Sequence, residues 1–293
     1  MTSGRRRGRS LLTEISVRLL LATRLADAGY RIFERTRSEL VAALAPDPVL
    51  VRFNDLAYGE SGFYRPETTS FREYLFPWEE FVVRELFPSP PARILVGGAG
   101  GGREAFALLG LGFEVVAFEP SRQLAEFMAT RAPEGASLQV YCGGYEDLPR
   151  LEPLEAAPAV ELPDLGSFDA AVAGWGSFSH LRTEAVRVTT LEAFGHVTAG
   201  PILVSFLGLK DAPSPQHRSR LGRLRRWVPR RAGRELGDVF SAYIGFYHRT
   251  DEAEVRTQSR AAGLEVVHGQ FDERDTNWPH VVLRRQDGGT AAR

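Results

Sequence analysis

The chain holds one cysteine in 293 residues, and one lysine, Lys210, among its 36 basic residues. With Cys142 alone, an internal disulfide is impossible and a cysteine-rich zinc site is excluded. Such cysteine usage is read as a reducing, cytoplasmic compartment. Long apolar runs are missing as well. The most apolar stretch near the start, Leu11 to Ala22, is interrupted by Glu14 and Arg18 and is followed by no small-residue cleavage site. It is expected to be neither a signal peptide nor a membrane span. Arg5, Arg6, Arg7 and Arg9 before it read as a solvated, frayed start. A net charge of −1 gives no global attraction to nucleic acid or to a membrane surface. Two nucleotide signatures are absent too. No G-x-x-x-x-G-K-[ST] occurs, which excludes a P-loop. The dinucleotide pattern G-x-G-x-x-G fails because, counting from Gly98 and Gly100, its last position is Arg103. No cluster with metal-ligand spacing appears, so no metal is expected.

What is present suits one α/β domain with an appended cap: 43% hydrophobic and 25% charged residues. Leu12, Ile15, Leu19, Ala22 and Ala26 recur at three- and four-residue steps, predicting a helix over residues 11–45 that Pro46 and Pro48 end. An aromatic segment, Phe53 to Tyr74, precedes a short helix from Pro77 to Leu86. Pro88, Pro90 and Pro91 form a stiff linker, dividing a helical and aromatic N-terminal cap (1–91) from a core (92–293). In the core, short β-rich runs alternate with helical ones, which predicts a parallel sheet. Strands are expected at 93–96, 114–118, 138–142, 168–173, 202–206, 264–270 and 280–284, with residues 150–166 as a loop and a basic insert at about 208–249.

Gly97-Gly98-Ala99-Gly100-Gly101-Gly102 lies where the first strand ends and a helix begins. Without Cβ atoms the backbone turns tightly and approaches a ligand closely, and the helix amides point at whatever polar group binds. The next strand ends at Glu119, seventeen residues after Gly102, where a carboxylate can accept hydrogen bonds from a ribose diol. A glycine cluster alone is a weak signal. Strand, cluster, helix, strand and terminal acid in that order are a stronger one.

Leu95-Val96-Gly97-Gly98-Ala99-Gly100-Gly101-Gly102-Arg103-Glu104 resembles the first motif of class I S-adenosylmethionine (SAM)-dependent methyltransferases. The resemblance implies a doubly wound, mostly parallel seven-stranded sheet with SAM as cofactor. Its site residues would be Gly98, Ala99, Gly100, Gly102, Glu119 and Pro120, with Glu119 as the ribose-binding acid. Gly143 to Pro149 is similar to the family's G-D-x-x-x-L-P pattern. Gly144 replaces an aspartate that often contacts adenine, which leaves that role to Tyr145 or Glu146. Phe168 to Val172 and Gly174-Trp175-Gly176-Ser177-Phe178-Ser179-His180-Leu181 resemble the fourth strand and the loop lining the methyl site, which adds Gly174 and Trp175. The fourth strand does not end in the Asn/Asp-Pro-Pro-aromatic motif of amino-methyltransferases acting on nucleic-acid bases. Cys142, on the third strand, is misplaced for a cytosine-attacking nucleophile. Both departures favour a small-molecule methyl acceptor.

His180 is the candidate general base, weighed against a helix-start histidine bonded to backbone. Tyr58, Tyr64 and Arg65 are candidate lid or substrate residues, since the family often folds an N-terminal segment over SAM; the alternative is a satellite aromatic cluster. The insert carries eight arginines from Arg218 to Arg234, with Leu221, Leu224 and Val228 at helical spacing. It reads as a lid, an RNA-contacting patch, a membrane-surface helix or a plain solvated face. The expected function is methyl transfer to oxygen, nitrogen or carbon of a small metabolite. The alternatives are a non-catalytic SAM- or RNA-binding protein, or another nucleotide-dependent enzyme on the same fold. Oligomeric state is left open.

Overall fold

The structure is a computed structural model describing residues 3–60, 74–148, 150–154, 160–161, 167–208, 234–235, 237–271 and 278–286. Three helices come first: α1 (Ser3–Leu44), α2 (Asp47–Glu60) and α3 (Pro77–Leu86). The core follows as β1 (Arg93–Gly97), α4 (Arg103–Gly110), β2 (Glu114–Glu119), α5 (Arg122–Arg131), β3 (Leu138–Cys142), β4 (Arg150–Pro153), β5 (Val160–Glu161), β6 (Ala170–Ala173), α6 (Glu184–Val197) and β7 (Ile202–Ser205). The chain ends with β8 (Asp238–Ser241), β9 (Gly245–His248), α7 (Glu252–Ala261), β10 (Leu264–Gln270) and β11 (His280–Arg285).

The sheet order is β10-β11-β7-β6-β1-β2-β3-β4-β5. β3, β2, β1, β6 and β7 run parallel, and β11 runs against both β7 and β10. Those seven strands are the expected ones. The structure extends them to nine, because the segment read as a loop supplies β4 and β5 as an antiparallel ribbon on the β3 edge. Its Pro- and Glu-rich composition hid the ribbon: Leu151 is fully buried, while Pro153 is the last residue of β4, opposite Tyr141 of β3 and beyond the two residues that pair with β5.

Central strands are apolar on both faces because helices cover both. Leu95, Val116, Phe118 and Val204 join Phe178, Phe194 and Val255 in one core layer, under α6 and α7. Ile94, Val96, Val115 and Ala117 join Val82, Phe106, Leu108 and Met128 in the other, under α3, α4 and α5. Each fully buried Leu, Val or Phe contributes roughly 1.5–3 kcal/mol. Thr183 and Asp251 cap α6 and α7 by accepting the Val186 and Glu254 amides.

α1 ends at Leu44, just before Pro46, as the proline pair implies, and a second helix follows. Pro48 stands in the first turn of α2, where its missing N–H costs nothing. The basic insert expected at about 208–249 is described only in part. Its described end forms the hairpin β8–β9, tied to α1 by the Phe240 amide donating to Ser38 Oγ (3.1 Å) and to α2 by the Phe246 amide donating to Asn54 Oδ1 (2.9 Å). The stretch expected as an arginine-rich helix, around Leu221 to Val228, lies outside the described residues. No described helix is long and apolar enough to cross a membrane.

His248, at the end of the hairpin, is buried with Nδ1 on Asp238 and Nε2 on Glu254, each at 2.8 Å. Burial opposes its charge, but these two carboxylates outweigh burial and raise its pKa. A raised folded-state pKa gives stability that is complete below the unfolded value of about 6.5 and is lost as pH rises through the folded value. The melting-temperature gap between wild type and His248→Gln should therefore shrink from pH 6 to pH 9. A gap that stays constant across that range would exclude a charged His248.

Candidate functional site

β1 is the switch point of the sheet: the chain runs outward to β2 and β3 on one side and to β6 and β7 on the other. Ligands bind open α/β sheets in the crevice at such a point, beyond the carboxyl ends of the strands. A cavity of about 270 Å³ opens there. Gly98, Ala99 and Gly100 form part of its wall, as do Glu119 and Pro120 at the end of β2, Gly174 and Trp175 after β6, and Leu50, Asn54 and Tyr58 from α2.

Gly98 has φ +59°, and a Cβ there would lie 2.8 Å from the Ser177 Cβ. Only glycine fits that turn. Gly102 does not line the cavity. It is the left-handed N-cap of α4, facing Met128 and Phe106 in the core. Glu119 is buried, with Oε2 accepting the Gly100 amide (2.8 Å) and Oε1 the Ser121 amide (2.9 Å). Its carboxylate is thereby held against the glycine loop. Trp175, at φ +45°, is the only non-glycine with positive φ among the described residues, so its backbone is strained at the cavity wall.

Tyr145 borders the cavity from below. Its ring packs edge-on to Phe118 and Phe194, its hydroxyl is 2.8 Å from Ser177 Oγ, and burial raises its pKa. Glu146 lines the cavity and accepts two hydrogen bonds from Arg182, one of 2.9 Å.

His180 ends a 3₁₀ turn, Ser177–His180, above β6. Its Nδ1 lies 2.8 Å from the Phe246 carbonyl, which can only accept, so Nδ1 carries a proton. Burial lowers the pKa, favouring the neutral ring. Nε2 is then an acceptor and takes the Tyr58 hydroxyl at 2.5 Å. The structure thus brings together two residues 122 positions apart that the sequence suggested separately, and adds the carbonyl that sets the tautomer. Tyr64 and Arg65 lie outside the described residues.

Several residues at the site carried no sequence signal. Arg103, read only as a mismatch, is buried with a two-pronged bond to Glu79 (2.7 and 2.8 Å), a third to Glu104 (2.7 Å), and its guanidinium over the Phe76 ring (4.1 Å). The cavity wall holds four carboxylates, Glu104, Glu119, Glu146 and Asp147, against two guanidiniums. Both guanidiniums are engaged by carboxylates, Arg103 as above and Arg182 by Glu146 and Asp47. The local field therefore favours a cation and opposes phosphate. Elsewhere Glu235, His248 and Glu254 come within metal-ligand reach of one another. Both His248 nitrogens face carboxylates, however, and its raised pKa favours a form with no lone pair to give.

No family model matches the chain, and no curated protein does. Solved structures do. The 1,6-didemethyltoxoflavin-N1-methyltransferase of Burkholderia thailandensis, solved with bound 1,6-didemethyltoxoflavin and S-adenosylhomocysteine, aligns at TM-score 0.53 and 18% identity, over 83% of this chain and 92% of that one. The CcbJ methyltransferase of Streptomyces caelestis aligns at 0.51 and 16%, over 80% and 97%. A SAM-dependent methyltransferase of Clostridium acetobutylicum aligns at 0.50 and 10%, over 80% and 99%. At these identities the likeness establishes architecture: the chain has the Rossmann-like fold of the SAM-dependent methyltransferases, as its glycine-loop motif implies.

Proposed function

We propose that this chain is a class I methyltransferase that binds SAM in the cavity above β1 and methylates an oxygen, nitrogen or carbon of a small metabolite. The observation that carries the reading is the charge of the cavity. Four carboxylates and no uncommitted guanidinium in its wall suit a sulfonium ligand of net positive charge and repel the pyrophosphate of a dinucleotide. The turn at Gly98 supports close backbone approach to that ligand.

SAM, when bound, supplies a methyl carbon that an acceptor lone pair displaces from sulfur, the C–S electron pair staying on sulfur. The chain's residues hold and orient. Gly98, Ala99 and Gly100 cradle the ligand, Glu119 accepts hydrogen bonds from its diol, Pro120, Tyr145 and Glu146 border the adenine end, and Gly174 and Trp175 the opposite end. α2, in the proposed cap of residues 1–91, closes the cavity and brings Tyr58 to His180. An acceptor that loses a proton can pass it to the Tyr58 oxygen while the Tyr58 proton moves to His180 Nε2.

Calorimetric titration with SAM, S-adenosylhomocysteine and NAD tests the reading. Both adenosyl ligands should bind and NAD should not. Glu119→Ala should weaken both by roughly 2–4 kcal/mol, one to three orders of magnitude, through loss of two charge-assisted hydrogen bonds. Wild-type binding of NAD without SAM would sink the assignment.

A further inference from the structure

We infer that Glu104 is the receptor for an ammonium group, that of the amino-acid end of the cofactor; the inference rests on the SAM reading above. Glu104 lines the cavity yet is 5% exposed. Its Oε1 accepts from Arg103 at 2.7 Å, and no described residue makes a hydrogen bond or ion pair to its Oε2. Arg103 cannot neutralise it fully, because the same guanidinium is held by both oxygens of Glu79. Two carboxylates and one guanidinium leave this buried trio with an excess negative charge beside the cavity. A ligand ammonium supplies both the missing charge and the missing N–H, whereas a sulfonium has no N–H to give.

Two features place that ammonium. A Cβ at Gly174 would stand 2.5 Å from Glu104 Oε1, so the glycine after β6 leaves room for the carboxylate in the cavity wall. Glu119 ends β2, while Glu104 meets the end of β6, and β1 lies between them in the sheet. Two strand spacings separate the ends of β2 and β6 by roughly 10 Å. A ligand whose diol sits at Glu119 and which crosses the glycine loop presents its amino-acid end to Glu104.

The test compares three probes: S-adenosylhomocysteine, its desamino analogue, and 5′-methylthioadenosine, which lacks the whole amino-acid end. Wild type should prefer S-adenosylhomocysteine over the desamino analogue by about ten- to a hundredfold. Glu104→Gln, which keeps the shape and an acceptor for Arg103, should bind the two alike, with methylthioadenosine affinity within about threefold of wild type. A preference that survives in Glu104→Gln overturns the inference, and so does a wild type with no preference, which needs no variant to fold. Failure of wild type to bind any of the three would instead sink the SAM reading itself.

Discussion

Arg103→Met is expected to destabilise the fold by about 3–5 kcal/mol, the largest stability loss anticipated for a single side chain here. The methionine fills similar volume, so the loss is not mainly a cavity effect. It arises because Glu79 and Glu104 remain buried without their shared cation. Glu79 is poised for this: burial already raises its pKa against the pull of Arg103, and without the guanidinium it would take up a proton on folding. Arg103 also donates to the Tyr74 carbonyl at 2.9 Å, so the segment entering α3 loses an anchor as well. Denaturant unfolding of wild type, Arg103→Met, Glu79→Gln and the double variant checks the claim. The double variant should be less destabilised than the sum of the singles, since removing both partners of a buried pair costs less than stranding one. A loss below about 1 kcal/mol in Arg103→Met would show that the cluster is solvated and contributes little.

That network marks the boundary of what the sequence can say. Strands were legible wherever apolar residues run together between glycine and proline. β3 and β10 have the bounds the sequence predicts, and β1 and β2 differ by one residue. The glycine loop and Glu119 were legible because their signature is local, complete between Gly97 and Glu119. Glu79 and Arg103 lie 24 positions apart on different helices, and nothing in their neighbours marks either charge as buried. Glu104 was overlooked because an acid in a helix's first turn is ordinary and usually solvated. The hairpin β8–β9 carried a strand signal in Val239, Phe240, Phe246 and Tyr247, obscured by the arginine-rich run before it. The group that fixes the His180 tautomer is a backbone carbonyl, Phe246, and a carbonyl has no residue identity to read.

The tautomer leads to the second large effect. His180→Ala and Tyr58→Phe are each expected to lower the methyl-transfer rate by roughly 10²–10⁴-fold on an acceptor that loses a proton, with SAM affinity little changed. Each variant breaks the relay at a different point. On the proposed route Tyr58→Phe removes the hydroxyl that would meet the acceptor, and His180→Ala removes the nitrogen that accepts the Tyr58 hydrogen bond. Because one proton passes through both, the double variant should be no slower than either single variant. The pH profile carries a further sign. Burial lowers the His180 pKa, so the neutral, accepting form persists below the ordinary histidine value of about 6.5. The acidic limb of the rate profile should therefore lie below that pH and vanish in His180→Ala. Steady-state kinetics from pH 5 to pH 9, alongside SAM titrations of each variant, separate the possibilities. A rate unchanged in both variants would leave proximity alone to account for the reaction and reduce Tyr58 and His180 to packing residues. A fall in SAM affinity equal to the fall in rate would place them in cofactor binding.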